Sequence, residues 1–338
     1  MRPRRGGEGA GPAGGPGGQV LRGLVVERLE AGPRRRLAGR ARLLYRPGLG
    51  RPGRRPELLA VADAWRPHIL VVRNETRVDA ELLAHLPGLR VVGRVGSGLD
   101  NVDAPALAAQ GTRLVHAPGA GAAAVAELVF AYLLHVARPL TRADAAVRAG
   151  GWPREAVAGF ELAGKRLGIV GLGEIGSRVA LRARAFGMRV AASDPGRPRH
   201  HVAYDELGVE PMALDRLLAT SRFVTVHVPL TARTVGLIDA RAIGRLAPDA
   251  HLLVTARGGV VDEDALARAL RAGRLAGALL DVRAMEPPLQ PDPLRDVPGL
   301  VLTPHIGGLT PEARRRAGDA VVDGIFESLG AAAPDTGG

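Results

Sequence analysis

The sequence predicts an α/β chain made of two doubly wound parallel-sheet domains, the second inserted into the first. Three observations predict it. Short apolar runs alternate with helix-length amphipathic segments along most of the chain, the pattern of βαβ units. The runs fall in two series, separated by a long apolar helix and a Gly-containing loop. The chain then ends in another amphipathic helix beyond the second series. At 338 residues there is room for two ordinary cores.

In the first series, strands are expected at residues 20–26, 41–45, 68–72, 89–93 and 113–116, with helices at 57–64 and 80–85 between them. A helix over 122–138 and a loop over 150–160 follow. "AAAVAELVFAYLLHVA" is too short for a membrane span and carries Glu127 and His135, so it reads as a buried helix. The second series starts at Lys165, with strands near 167–171, 188–193, 222–227, 251–255, 275–282 and 299–303 and helices at 175–186, 213–220 and 263–272. In the closing "TPEARRRAGDAVVDGIFESL", Ala317, Val321, Ile325 and Leu329 share one face, which suits packing back onto the first domain. Such a chain crosses between its domains twice, a natural hinge and ligand site.

The formal charge of +12 is concentrated at the start: residues 1–56 hold fourteen arginines and three acids. Lys165 is the only lysine. Few aromatics accompany the arginines as stacking platforms, so the charge reads as composition bias and nucleic acid is not an expected partner. The absence of cysteine excludes disulfides, thiolate metal ligands and a Cys nucleophile, and suits a reducing cytoplasm. "MRPRRGGEGAGPAGGPGGQ" has no apolar core for a secretory signal, and residues 1–19 and 331–338 are expected to be disordered tails.

The most informative stretch is "LGIVGLGEIGSRVALRARAFGMRVAASD". Its GxGxxG spacing at Gly171, Gly173 and Gly176 follows a buried-strand pattern and opens an amphipathic helix. Gly171 permits the tight turn, Gly173 lets the backbone approach a pyrophosphate, and Gly176 lets helix and strand pack closely. The helix N-terminus offers free N–H groups to phosphates. Asp194 ends the next strand twenty-three residues beyond Gly171, where an acid can take both ribose hydroxyls and repel a 2′-phosphate. The expected cofactor is therefore NAD rather than NADP, with Arg197 and Arg199 nearby.

With these blocks in order, the chain from about residue 20 to 329 resembles the D-isomer-specific 2-hydroxyacid dehydrogenases, the family that includes phosphoglycerate dehydrogenase and hydroxypyruvate reductase. "VVGRVGSGLDNVD" (91–103) is similar to its substrate loop and "VHVPLTARTVGLI" (226–238) to its ribose-side loop. "TARGGVVDEDAL" (255–266), "GALLDVRAMEPP" (277–288) and "LTPHIGG" (302–308) resemble its catalytic blocks. The resemblance implies a Rossmann NAD-binding domain of residues 117–305 with a dimerisation arm, inserted in a discontinuous flavodoxin-like substrate domain of 20–116 plus 306–330.

It also implies roles. His305 would be the acid–base, a task that suits imidazole near neutral pH. Glu286 would hold its proton, and Arg257 would grip the substrate carboxylate with its fork. Glu174 and Ile175 would face the pyrophosphate. Ser97, Val228, Thr255, Ala256, Asp281, Gly307 and Gly308 would line the cofactor, with Asp281 near the carboxamide. Arg73, Gly96, Ser97 and Gly98 would meet the substrate. No metal is needed, because hydride and proton go to separate acceptors. His227 reads as a packing residue, and a homodimer through 122–160 is implied.

The chain departs from the family at Gly121 and Val254, where Asn is usual, and at Leu309, where Ser is usual. "VRNETRV" also puts Glu75 beside the expected phosphate arginine. The regulatory C-terminal extension of many phosphoglycerate dehydrogenases is not expected here. A formate-dehydrogenase variant is disfavoured by Glu286, where that variant has Gln. The competing class is an NAD(H)-sensing, corepressor-like binding protein on the same fold; intact Arg257, Glu286 and His305 favour the enzyme.

Overall fold

The computed structural model describes residues 20–330, so both expected tails lie outside the described residues. The chain forms two compact units, divided after Gly121 and again after Thr310. The boundaries read from sequence lie a few residues earlier at each crossing. Residues 117–121 stay with the first unit because Ala117 N donates to Gly96 O (3.0 Å) and Ala117 and Ala120 join its core. Residues 306 and 307 stay with the second, their N–H groups bound to the carboxylate of Asp281.

The first unit contains β1 (Arg22–Val25), α1 (Ala31–Ala38), β2 (Arg42–Tyr45), α2 (Arg55–Trp65), β3 (Ile69–Val72), α3 (Ala80–Ala84), β4 (Val91–Arg94), α4 (Ala104–Ala109) and β5 (Arg113–His116). Its sheet is parallel throughout, in the order β2-β1-β3-β4-β5. The central strands are buried on both faces, which is why "ILVV" in β3 reads as a continuous apolar run rather than an alternating one. Strand order reverses between β1 and β3, where the carboxyl ends of an open parallel sheet leave a crevice.

The second unit begins with α5 (Ala122–Ala137) and α6 (Leu140–Arg148). It continues through β6 (Arg166–Val170), α7 (Glu174–Ala185), β7 (Arg189–Ser193), α8 (Val202–Leu207), β8 (Glu210–Pro211) and α9 (Leu214–Thr220). β9 (Phe223–Val226), α10 (Ala240–Ile243), β10 (His251–Val254), α11 (Glu263–Arg271), β11 (Gly277–Leu280) and β12 (Leu300–Leu302) complete it. All strands are parallel, in the order β12-β11-β10-β9-β6-β7-β8. β6 and β9 flank the reversal, so the loop after β6 lies at the switch point. α5 is a core helix: Val129 and Leu133 are wholly buried beside Val179 and Ala180 of α7. Among the described residues no single helix is long and apolar enough to cross a membrane.

The last helix, α12 (Pro311–Ser328), belongs to the first unit. Its Val321 and Ile325 lie against β4 at Gly93, where an added Cβ would come within 2.7 Å of both side chains. The expected apolar face is the one it buries, with Leu329 packed at the edge of the same cluster.

Candidate active site

The cofactor side is built from the switch point of the second sheet. Gly171 leaves β6 at φ +93, and a Cβ there would press on His227 O at 2.8 Å and Val228 Cγ1 at 2.9 Å. At Gly176 a Cβ would run into the carbonyl of Gly171. Gly173 differs: a Cβ would meet nothing within 4 Å, so open space lies before it. Asp79, Asp103, Asp239 and Asp262 cap α3, α4, α10 and α11 with their side chains, whereas Gly173 opens α7 with none. The first N–H groups of α7, from Glu174, Ile175 and Gly176, are left to an anionic ligand.

Asp194 follows β7. Its Oδ2 accepts from Leu172 N and its Oδ1 from Gly196 N, each at 2.9 Å. Each oxygen keeps acceptor capacity for a hydroxyl. The carboxylate therefore sets the Gly-rich loop, a role not legible from spacing alone. Arg197 Nε stands 3.9 Å from Oδ2. Val228 follows β9, and Thr255 and Ala256 follow β10, at neighbouring carboxyl ends. This set fits NAD: helix N–H groups for a pyrophosphate, an uncrowded glycine before them, and a diol acceptor at the strand end.

Glu286 and His305 lie on the loops after β11 and β12. His305 Nδ1 donates to Glu286 Oε2 at 2.7 Å. A carboxylate only accepts, so Nδ1 carries the hydrogen. The Glu286 hydrogen bond raises the pKa of His305, while burial and the Arg257 charge work against it. Burial works to raise Glu286, but hydrogen bonds from His305 and Arg283 N, with the charges of His305 and Arg257, hold it below its usual value.

His305 has φ +54, a conformation a non-glycine residue adopts only when held. Asp281 holds it. This carboxylate, 1% exposed, accepts from Thr303 Oγ1 (2.7 Å), Ile306 N (2.8 Å) and Gly307 N (2.8 Å), and its own carbonyl accepts from His305 N (2.8 Å). The hydrogen bonds of its side chain among the described residues are thus to the histidine loop. Gly307 sits against it, whereas Gly308 borders open space.

Glu286 is braced in turn. Its Oε1 accepts from Arg283 N at 2.9 Å, and the Arg283 side chain is clamped by Glu263 at 3.0 Å and Asp292 at 2.7 Å. Arg283 is a residue that motif reasoning passed over. Arg257 follows β10 and donates to the carbonyl of Ala256 at 2.7 Å. His227 is excluded as a competing acid: it bridges Thr225 Oγ1 (2.9 Å) and Thr255 Oγ1 (3.4 Å), and burial pushes its pKa down to about 3.

The remaining residues lie in the first unit. Arg73 follows β3, and its backbone N–H donates to buried Glu27 at 2.7 Å. Asn101 Nδ2 donates to the carbonyls of Arg73 (2.8 Å) and Thr76 (2.6 Å), fixing that loop. Gly96 has φ +148, and a Cβ there would land on the guanidinium of buried Arg94. Ser97 Oγ donates to Ala117 O at 3.0 Å, and the turn continues through Gly98. Glu75 turns toward Arg51, 3.9 Å away.

A chain with this pair of sheets and this histidine–glutamate loop can be placed by comparison. Residues 130–307 match the family model for the D-isomer specific 2-hydroxyacid dehydrogenase, NAD binding domain. A D-3-phosphoglycerate dehydrogenase of Mycobacterium leprae is 44% identical over 278 residues, 82% of this chain and 52% of that protein. A hydroxypyruvate reductase of Thermotoga maritima is 40% identical over 266 residues, 78% of this chain and 85% of its own. The solved structure of the TT0316 protein from Thermus thermophilus superposes with a TM-score of 0.83 at 36% identity, covering 93% of this chain and 99% of that one. The chain belongs to the D-isomer specific 2-hydroxyacid dehydrogenase family, and its second unit carries that family's NAD-binding domain. It spans about half the length of the D-3-phosphoglycerate dehydrogenases it matches.

Proposed function

We propose that the protein is an NAD-dependent oxidoreductase that interconverts D-2-hydroxy acids and 2-keto acids. The observation that carries this reading is the His305–Glu286 pair at 2.7 Å, with Nε2 left for a substrate oxygen. Gly171, Gly173, the N–H groups of Glu174 and Ile175, and Asp194 would hold NAD(H), which would supply or accept the hydride. In the reductive direction protonated His305 gives its Nε2 proton to the carbonyl oxygen, and Glu286 keeps the imidazole charged beforehand. Arg257 binds the substrate carboxylate through two parallel N–H groups, and its charge draws electrons toward the carbonyl oxygen. In the oxidative direction neutral His305 takes the hydroxyl proton.

A binding-only, corepressor-like role gives no account of a proton donor held in this way. The same reading includes a cytoplasmic setting, where NAD(H) is at hand, and a homodimer. Exposed Leu140 (72%), Val147 (50%) and Trp152 (75%), on α6 and just beyond it, suit burial by a second copy. The direct test is NADH oxidation against a panel of 2-keto acids. His305→Ala should lose about 10²–10⁴-fold in turnover while still binding NADH. A variant as active as the parent would end the assignment.

A further inference from the structure

Glu286 stands on a loop that has nothing apolar to hold it. No residue from 284 to 291 is buried, and Met285 and Leu289 are exposed. Such a segment samples many arrangements unless polar contacts fix it. Yet the Glu286 carboxylate stays within hydrogen-bond reach of His305, with Oε1 on Arg283 N and Oε2 on His305 Nδ1. Where the carboxylate sits therefore depends on where Arg283 sits.

Arg283 is held from several sides. Its Nη1 and Nη2 donate to the two oxygens of Asp292 at 2.7 and 3.0 Å, which closes the neck of the loop. Its Nε donates to Glu263 Oε2 at 3.0 Å, and Oε1 of the same carboxylate accepts from Ala284 N at 2.6 Å. Glu263 is the first residue of α11, which is capped by Asp262 and seated in the core through Leu266 and Leu270. The neck is thus tied to rigid structure. Asp292 is fixed in turn by Leu294 N at 3.0 Å, beside the buried Leu294 side chain. Gly258 closes a further side, since a Cβ there would collide with the Arg283 carbonyl. The Arg283, Glu263 and Asp292 side chains are only 10%, 18% and 11% exposed. A network buried to this degree returns little net stability after desolvation; what it fixes is geometry.

We propose that Arg283 is a positioning residue: its side chain, locked between Glu263 and Asp292, sets the turn that holds Glu286 against His305. The bearing on turnover rests on the hydride-transfer reading above; the bearing on His305 does not. The charged groups acting on His305 are Glu286 and Asp281, which make it easier to protonate, and Arg257, which opposes them. Asp281 is bound to the histidine loop itself, so it stays in place when Arg283 is replaced. Removing the Arg283 charge, or freeing those of Glu263 and Asp292, would directly make His305 easier to protonate. Displacing Glu286 does the opposite. The sign of the change therefore separates a geometric role from an electrostatic one.

The test follows the His305 imidazole by NMR across a pH series in the full, histidine-labelled chain, its signal identified by its absence from His305→Ala. In Arg283→Met the titration midpoint should fall by about one pH unit. The falling limb of the reductive pH–rate profile should move with it, and kcat should drop about 10-fold as the pair loses its alignment. Arg283→Lys keeps every charge but loses the two-pronged bond to Asp292, so it should show the same fall in smaller measure. A midpoint that is unmoved or raised in Arg283→Met overturns the positioning role, whatever happens to turnover. Should Arg283→Met fail to fold, Arg283→Lys decides alone: a lower midpoint supports the role and an unmoved one overturns it. A parent that turns over no keto acid overturns the hydride-transfer reading instead, and the midpoints still decide the role of Arg283.

Discussion

Replacing Asp281 with asparagine separates two jobs that a buried carboxylate beside a cofactor site can perform. In the structure it holds the histidine loop through three donors: Thr303 Oγ1 and Ile306 N on Oδ1, and Gly307 N on Oδ2. Asp281→Asn keeps the shape but offers one oxygen, so the new NH₂ group must face one of the loop's N–H or O–H donors. The change removes a charge-assisted hydrogen bond, about 1.5–3 kcal/mol, and strands a buried donor at about 1–3 kcal/mol. Neutralising a carboxylate that is 1% exposed returns part of this, leaving a net loss of about 2–4 kcal/mol. For a unit the size of Ala122–Thr310, that is a fall of about 5–10 °C in Tm.

Calorimetry on the cofactor-free chain reads that fall directly. Turnover should drop about 10- to 100-fold as His305 loses its fixed position, since misplacement by about 1 Å can cost 10²-fold. If Asp281 served only the cofactor, NADH affinity would fall while the apo Tm stayed within about 1 °C. A stable, fully active Asp281→Asn protein would show that the loop is held by something else.

Three further outcomes are expected. The reductive rate should fall as pH rises through the raised pKa of His305, and Glu286→Gln, which removes the charge that raises it, should move that limb to lower pH; a pH–rate profile with an unmoved limb would break the pair. NADH should support faster turnover than NADPH, and Asp194→Ala should narrow the gap while costing about 1 kcal/mol of stability through the lost Leu172 hydrogen bond; equal use of both cofactors by the parent would refute the ribose assignment. Light scattering should give twice 35.2 kDa, whereas a monomer at micromolar concentration would contradict the arm.

What the sequence reveals and what it conceals follow from how far each signal reaches along the chain. Strands such as β3 and β6 are buried on both faces, so their apolar runs stand out without help from a partner. The two-residue β8 cannot stand out, because "EP" becomes a strand only beside β7. α1 is hidden for a different reason: "AGPRRRLA" buries only Pro33 and Leu37, too little for a visible period. The same distinction runs through the site. The turn at Gly171 and the acid at Asp194 are local requirements, and spacing finds them. The His305–Glu286 contact joins residues nineteen positions apart, and only resemblance to a family proposes it. Nothing in "GALLDV" announces that Asp281 will accept from a loop more than twenty residues on, or in "EARRR" that Arg314, rather than Arg315 or Arg316, stands near Arg73. Charged residues look alike in sequence whatever they pair with, and the fold alone decides which of them are left with work to do.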